Sequence, residues 1–236
     1  MKILAVDSSG MVASVAIVEN DILVAEYSVN YKKTHSETLL PMIDEIVSMT
    51  ETELDTIDAI AVASGPGSFT GLRIGSATVK GLGLALDKPI ISVPSCEALA
   101  YNVWGFDGVV CPIMDARRNQ VYTGVYETED FSVLLDQSAM AVGELIEYLN
   151  ALCKAEGLKV CFLGDGVPVY RDIIAEKMEC EYVFAPAHMN RQRAAAVASL
   201  GAIYYEQGKT ESAADHKPVY LRKSQAERER EAKNNN

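Results

Sequence analysis

Residues 1–29 read MKILAVDSSG MVASVAIVEN DILVAEYSV, and this stretch decides the fold. Three apolar, β-branched runs at residues 2–7, 11–18 and 22–29 are separated only by Ser8–Ser9–Gly10 and Glu19–Asn20–Asp21. Connections that short close antiparallel hairpins, so the spacing predicts a three-stranded meander. Thr34–His35–Ser36–Glu37 then has the order of a capping box, in which hydroxyl and carboxylate each satisfy an orphan N–H. It predicts a helix to about Thr50, with Pro41 as a kink or as the mark of a later start. A buried strand is expected at residues 57–63, a Gly-Pro-Gly loop at 64–70 and a helix to Leu86. A strand at 89–93 and a helix from Ser95 to near Val103 complete the series.

Gly105–Phe106–Asp107–Gly108 reads as a hinge, after which the pattern restarts. Strands are expected at 109–114, 120–127 and 131–136, a helix at 142–155 and a strand at 159–163. The turn Gly164–Asp165–Gly166, a helix at 169–177, a strand at 182–184 and an Ala-rich helix at 191–207 follow, with Gly208 at C′. One order of elements, met twice, predicts an α/β fold of two ribonuclease-H-like lobes produced by internal duplication. The expected boundaries are a lobe at 1–106, a lobe at 107–217, and a terminal strand with a charged tail at 218–236. The tail from Arg222 carries five basic and three acidic residues and reads as a frayed helix. The groove between the lobes is the default ligand site.

The chain has 236 residues, 49% hydrophobic and 23% charged, enough to bury a sizeable core. Its net charge of −12 argues against tight nucleic-acid binding by the chain alone. No apolar run reaches the ~20 residues of a membrane span. The opening goes straight into a strand, so no signal peptide is expected. The five cysteines are dispersed, with no CxxC pair, which fits reduced thiols and a cytoplasmic protein.

A catalytic constellation is hard to assemble. The three histidines, His35, His188 and His216, have no second histidine or cysteine at metal-ligand spacing. The GxSxG elbow and the GxxxxGK[ST] loop are absent. Asp7–Ser8–Ser9 ends the first strand as actin-like ATPases end theirs, with an acid and small hydroxyls able to face phosphate and a metal-bound water. Gly164–Asp165–Gly166 is placed to approach a nucleoside. Together these six residues form a candidate nucleotide site, although a strand-ending Asp and a glycine turn are equally common as plain punctuation. Asp115–Ala116–Arg117–Arg118 offers a carboxylate–guanidinium pair of the kind that pins a loop.

The helices of the first lobe say more. Leu39, Leu40, Met42, Ile43, Ile46, Val47 and Met49 cover about 180° of a helical wheel, where packing on a sheet needs ~100°. Met42 and Met49 sit at one margin, where adaptable thioethers suit a binding surface. The next helix carries Gly71, Gly75, Gly81 and Gly83, each costing ~1 kcal/mol relative to alanine. Ala77, Gly81 and Ala85 form one small-residue ridge, and Gly71 and Gly75 another. One ridge packs on the sheet; the second asks for another helix, from this chain or from a partner.

Several strings resemble one family. They are Ser64-Gly-Pro-Gly-Ser-Phe-Thr-Gly-Leu-Arg-Ile-Gly75 with Lys80-Gly81, Leu4-Ala-Val-Asp-Ser-Ser9, and His35-Ser-Glu…Leu-Leu-Pro41. Asp115-Ala-Arg-Arg118 with Val121-Tyr122, and Pro218-Val-Tyr-Leu-Arg222, complete the set. In this order, and over nearly the whole chain, they closely resemble the TsaB (YeaZ) family. The resemblance implies an actin-like fold that is not itself an enzyme, related to TsaD, which transfers threonylcarbamoyl to an adenosine beside the anticodon. TsaD carries a His-x-x-x-His metal pair, whereas Thr34–Leu40 here holds one histidine. The resemblance further implies that Leu39, Met42, Ile46 and Met49 of the first helix pack on TsaD. From the second helix it implies Gly71, Arg73, Gly75, Ala77, Lys80, Gly81 and Ala85. The same face is expected in a homodimer, with the TsaE ATPase joining the assembly and tRNA met only through the complex. No cofactor is required, and a glycopeptidase label has neither metal pair nor nucleophile behind it. The alternative from another class is an actin-like phosphotransferase or ATPase, working in the groove through Asp7 and Ser9.

Overall fold

A computed structural model describes residues 1–222. The opening meander is present as β1 (Lys2–Asp7), β2 (Ala13–Glu19) and β3 (Ile22–Val29). α1 (His35–Met49) starts at the expected cap, where the Glu37 carboxylate accepts the Thr34 N–H at 3.2 Å. β4 (Ala59–Gly65), α2 (Phe69–Leu86), β5 (Ile90–Pro94) and α3 (Ser95–Tyr101) follow. The sheet order is β3-β2-β1-β4-β5, antiparallel through the meander and parallel for β1, β4 and β5.

The second half repeats the plan with β6 (Val109–Asp115), β7 (Gln120–Glu127), β8 (Val133–Ala141), α4 (Val142–Glu156), β9 (Val160–Leu163), α5 (Val167–Lys177), β10 (Tyr182–Phe184) and α6 (Ala194–Glu206). Its sheet order, β10-β9-β6-β7-β8, is the first order read from the other edge. Two lobes of one topology are therefore present. β8 starts later than the expected 131–136 because Phe131 takes a left-handed turn conformation (φ 60°), and it runs on to Ala141 as an edge strand.

Period-2 alternation sorts the first sheet into two faces. Leu4 and Val6 of β1 join Val15, Ile60 and Val62 under α1 and α2. Ile3 and Ala5 face the other way, and what covers them is α6. Packing crosses the boundary expected between residues 106 and 107. α6 contacts β1, β2, β4 and β5 of the first sheet, and α3 lies between the sheets, against β4 and β5 of the first and β6 and β7 of the second. The exchange depends on small residues: a Cβ on Gly201 would stand 2.8 Å from the Ala61 Cβ. The first turn of α6 is capped from the first lobe, where Ser14 Oγ accepts the Ala194 N–H at 2.8 Å and Glu26 accepts the Ala195 N–H at 3.0 Å. Residues 191–193, expected as helix, precede that cap.

The terminal strand expected at 218–221 is not one. The Val219 N–H donates to the Ser64 carbonyl at 2.7 Å, but Pro218 has no N–H, and β4 is already paired on both edges. The charged tail beyond Arg222 lies outside the described residues. No helix among the described residues is long and apolar enough to cross a membrane.

Candidate functional site

The turn after β1 folds inward. The Ser9 N–H and hydroxyl both donate to Asp7 Oδ1, at 2.8 and 2.7 Å, and the Ser8 hydroxyl donates to the Gly71 carbonyl at 2.9 Å. Ser68 N–H closes over the top by donating to the Ser9 carbonyl at 2.7 Å. Gly67 and Gly71 have no Cβ because one would overlap the Ser9 and Ser8 carbonyls. Asp7 is 1% exposed, and burial pushes its carboxyl up to about 6 against the lowering pull of the Ser9 hydrogen bonds and of nearby His35. The Ser8 hydroxyl is spent on holding α2 to the β1 turn, and the Ser9 hydroxyl on Asp7 within the turn.

The second-lobe turn is also structural. Gly164 (φ 110°) and Gly166 lie against the Ile113 carbonyl, which accepts the Gly166 N–H at 2.9 Å. Asp165 Oδ1 accepts the Asp115 N–H at 3.2 Å, and burial raises its carboxyl above the usual range. The expected carboxylate–guanidinium pair is not formed. Asp115 Oδ1 instead accepts the Arg117 backbone N–H at 2.8 Å and the Tyr170 hydroxyl at 2.9 Å, leaving both guanidinium groups exposed. Of the six residues of the two turns, Ser9 and Asp165 line one common groove, while Asp7, Ser8, Gly164 and Gly166 do not reach it. That groove, of about 800 Å³, lies between the lobes, walled by the loop before α1, the Gly-Pro-Gly loop, the β6–β7 hairpin and residues 219–222. His35 stands in that wall, with its Nε2–H donating to the Gly10 carbonyl at 2.9 Å.

The outer surfaces of α1 and α2 divide the expected partner residues. Leu39, Met42 and Ile46 are buried in the chain's own core, so they are not surface; Met49 (68% exposed) and Leu40 (57%) are. The wide apolar stripe arises because α1 is wedged against both β2 and α2, and each neighbour covers one flank. On α2 the Gly71–Gly75 ridge packs on Ser8, whereas Ala77, Gly81 and Ala85 are exposed, with nothing within 4 Å of a Cβ on Gly81. Leu84 (63% exposed) extends that ridge. Arg73 is exposed and lies over the Phe69 ring at 4.1 Å, and the Phe69 ring packs on Tyr220 at 4.4 Å. Lys80 points elsewhere: its Nζ donates to the Ala214 and His216 carbonyls at 2.8 and 3.0 Å, strapping residues 211–216 along α2.

Sequence reasoning missed Tyr31, Lys32 and Lys33 at the groove mouth, where the signal was a basic pair just ahead of the capping box. It also missed Gln192, a buried amide pressed on Gly10, which no local pattern announces.

The model of the family described as "TsaD: tRNA N6-adenosine threonylcarbamoyltransferase" matches residues 23–230. The tRNA threonylcarbamoyladenosine biosynthesis protein TsaB of Bacillus subtilis is 36% identical, over 96% of each chain. Among solved structures, YeaZ from Pseudomonas aeruginosa superposes with a TM-score of 0.76 at 26% identity, over 93% of this chain and 99% of that one. The polyphosphate/ATP-glucomannokinase of an Arthrobacter strain shares only the fold, with a TM-score of 0.50 at 10% identity over 87% and 99%. A topology repeated in two actin-like lobes, the glycine-rich α2 packed on the β1 turn, and these likenesses along nearly the full length agree: the chain belongs to the TsaB (YeaZ) family of tRNA threonylcarbamoyladenosine biosynthesis proteins.

Proposed function

We propose that this chain is a non-catalytic subunit that binds a TsaD threonylcarbamoyltransferase and holds it competent for tRNA, with the TsaE ATPase joining the assembly. The observation that carries this reading is the outward ridge Ala77–Gly81–Ala85 on α2, extended by the exposed Leu84. An α-helix keeps a mid-helix glycine, at ~1 kcal/mol, where close approach of another backbone makes use of it. Nothing in this chain approaches Gly81. A helix of TsaD fits against that ridge, and a second copy of this chain competes for it in a homodimer. The closed Asp7–Ser8–Ser9 turn gives no support to the phosphotransferase alternative. The test is co-purification with the TsaD of the same cell, followed by a tRNA modification assay with and without this chain. Binding together with a dependence of modification on this chain supports the reading. A TsaD that modifies equally well alone, or does not bind, overturns it.

A further inference from the structure

We propose that the mouth of the interlobe groove is an RNA-binding surface that receives the phosphodiester backbone of the tRNA served by the assembly; this rests on the scaffold reading above. The groove collects cations in a chain of net charge −12: Lys32 and Lys33 ahead of α1, Arg117 and Arg118 at the β6–β7 hairpin tip, and Arg222. They come from both lobes and from three distant parts of the sequence. Among the described residues none of the five has a carboxylate within ion-pair distance. The carboxylates in the wall are already engaged. Asp115 accepts from Tyr170 and the Arg117 backbone, and Asp165 accepts the Asp115 N–H.

The hairpin tip is held rigidly, at a conformational cost. Arg117, Arg118 and Asn119 are all left-handed, with φ of 62°, 58° and 57°, a conformation costing ~1 kcal/mol or more for each non-glycine residue. It is fixed by the Asp115 carboxylate, by Ala116 N–H donating to the Gln120 carbonyl at 3.0 Å, and by Arg222 Nη1 donating to the Ala116 carbonyl at 2.7 Å. Two guanidinium forks are thereby presented to solvent on a rigid tip, and Arg222 is tied to the same tip. Planar forks suit phosphate oxygens better than a mobile ammonium does.

Two further observations separate RNA from other anions. At the β1 turn the Ser68 N–H is bonded to the Ser9 carbonyl and the Ser8 hydroxyl to the Gly71 carbonyl, so neither donor is free for the phosphates of a nucleotide. Beside the cations lie the rings of Tyr31 (70% exposed) and the half-exposed Tyr220, platforms of the kind on which unpaired bases stack. The acidic remainder of the surface does not forbid this contact. At 0.15 M salt the Debye length is ~8 Å, so distant carboxylates are screened while contacting cations are not. Tight binding by the chain alone remains disfavoured; a contribution within an assembly does not.

The experiment uses the full chain, alone and paired with the TsaD of the same cell, and an unmodified tRNA transcript followed by fluorescence anisotropy over a salt series. The double variants Arg117→Gln/Arg118→Gln and Lys32→Gln/Lys33→Gln each remove two cations without touching the outer face of α1 and α2. The expected result is a loss of tRNA affinity of tenfold or more for each. The slope of log K against log salt should become shallower by about 1.5, at ~0.7–0.9 for each phosphate no longer neutralised. TsaD affinity and melting temperature should stay at the wild-type values. Unchanged tRNA affinity and slope in both variants overturn the proposal. So does loss of TsaD binding in place of tRNA binding, which makes the groove a protein interface, or displacement of tRNA by 1 mM ATP, which makes it a nucleotide site. If the wild-type chain does not bind TsaD, the scaffold reading fails. The groove is then judged on the chain alone at 20 mM salt, by the same variants and criteria.

Discussion

A Cβ on Gly75 would overlap the Ser8 Oγ, whereas a Cβ on Gly81, six residues further along α2, meets nothing within 4 Å. One helix thus uses glycine for two purposes, the first internal and the second directed outward. Gly75→Leu should wedge α2 off the β1 turn and cost ~3 kcal/mol or more, since neither the backbone nor the buried Ser8 is able to move aside. Gly81→Leu should leave the melting temperature equal or slightly higher, because leucine is the better helix former. It should also weaken TsaD binding by ~2 kcal/mol or more, about thirty-fold, and dissociate any homodimer. A folded Gly81→Leu protein that binds TsaD as wild type does would place the partner on another surface.

Glu26 holds the exchanged helix to the first lobe. Its carboxylate takes the Arg193 guanidinium at 2.5 and 3.0 Å and the Ala195 N–H at 3.0 Å, with the Glu26 side chain only 11% exposed. Glu26→Ala removes a cap and strands a half-buried cation, for an expected loss of ~2–3 kcal/mol. Urea titration of Glu26→Ala, Arg193→Met and the double variant should give a coupling energy above ~1 kcal/mol. Coupling near zero would mean that the pair contributes nothing beyond its separate contacts.

That exchange marks the boundary of what the sequence could convey. The meander and the repeated order of elements are legible because turn chemistry and strand alternation are local signals, and the capping box at Thr34 marks the start of α1. The docking of α6 is not local. Its alanines and glycine present no distinct apolar face, and its capping Ser14 lies 180 residues away in sequence. On α1, a wheel counts Leu39, Met42 and Ile46 with Leu40 and Met49, but only packing shows which of them β2 and α2 cover. The groove cations stand in plain view at residues 32–33, 117–118 and 222, but their convergence on one groove is tertiary and no local pattern carries it.

Gln192 is 1% exposed, and neither its amide oxygen nor its nitrogen has a partner among the described residues. A buried amide in that state costs ~1–3 kcal/mol. Gln192→Met keeps the length and removes both polar atoms, so chemical denaturation should show a gain of ~1 kcal/mol. A loss of stability would reveal that the amide is satisfied by a partner after all.

Asp7 gives the fold a specific pH dependence. Burial lifts its carboxyl from 3.8 to about 6, so the native state holds a proton that the unfolded chain has released anywhere between those values. Stability from this group is complete below about pH 4 and is lost as pH rises through about 6, the reverse of a salt-bridged carboxylate. At neutral pH the difference corresponds to ~3 kcal/mol, at 1.36 kcal/mol for each unit. Asp7→Asn keeps an Oδ1 acceptor for the Ser9 N–H and hydroxyl while removing the buried charge. Its unfolding free energy should match wild type near pH 4 and exceed it by ~2–3 kcal/mol at pH 7.5, with the gap opening between these limits. The comparison is made as a difference between two proteins of otherwise equal charge, which cancels the acid response of every other carboxylate in this acidic chain. A gap that stays constant from pH 4 to 7.5 would show that Asp7 remains ionised in the native state, held by Ser9 and His35 against its burial.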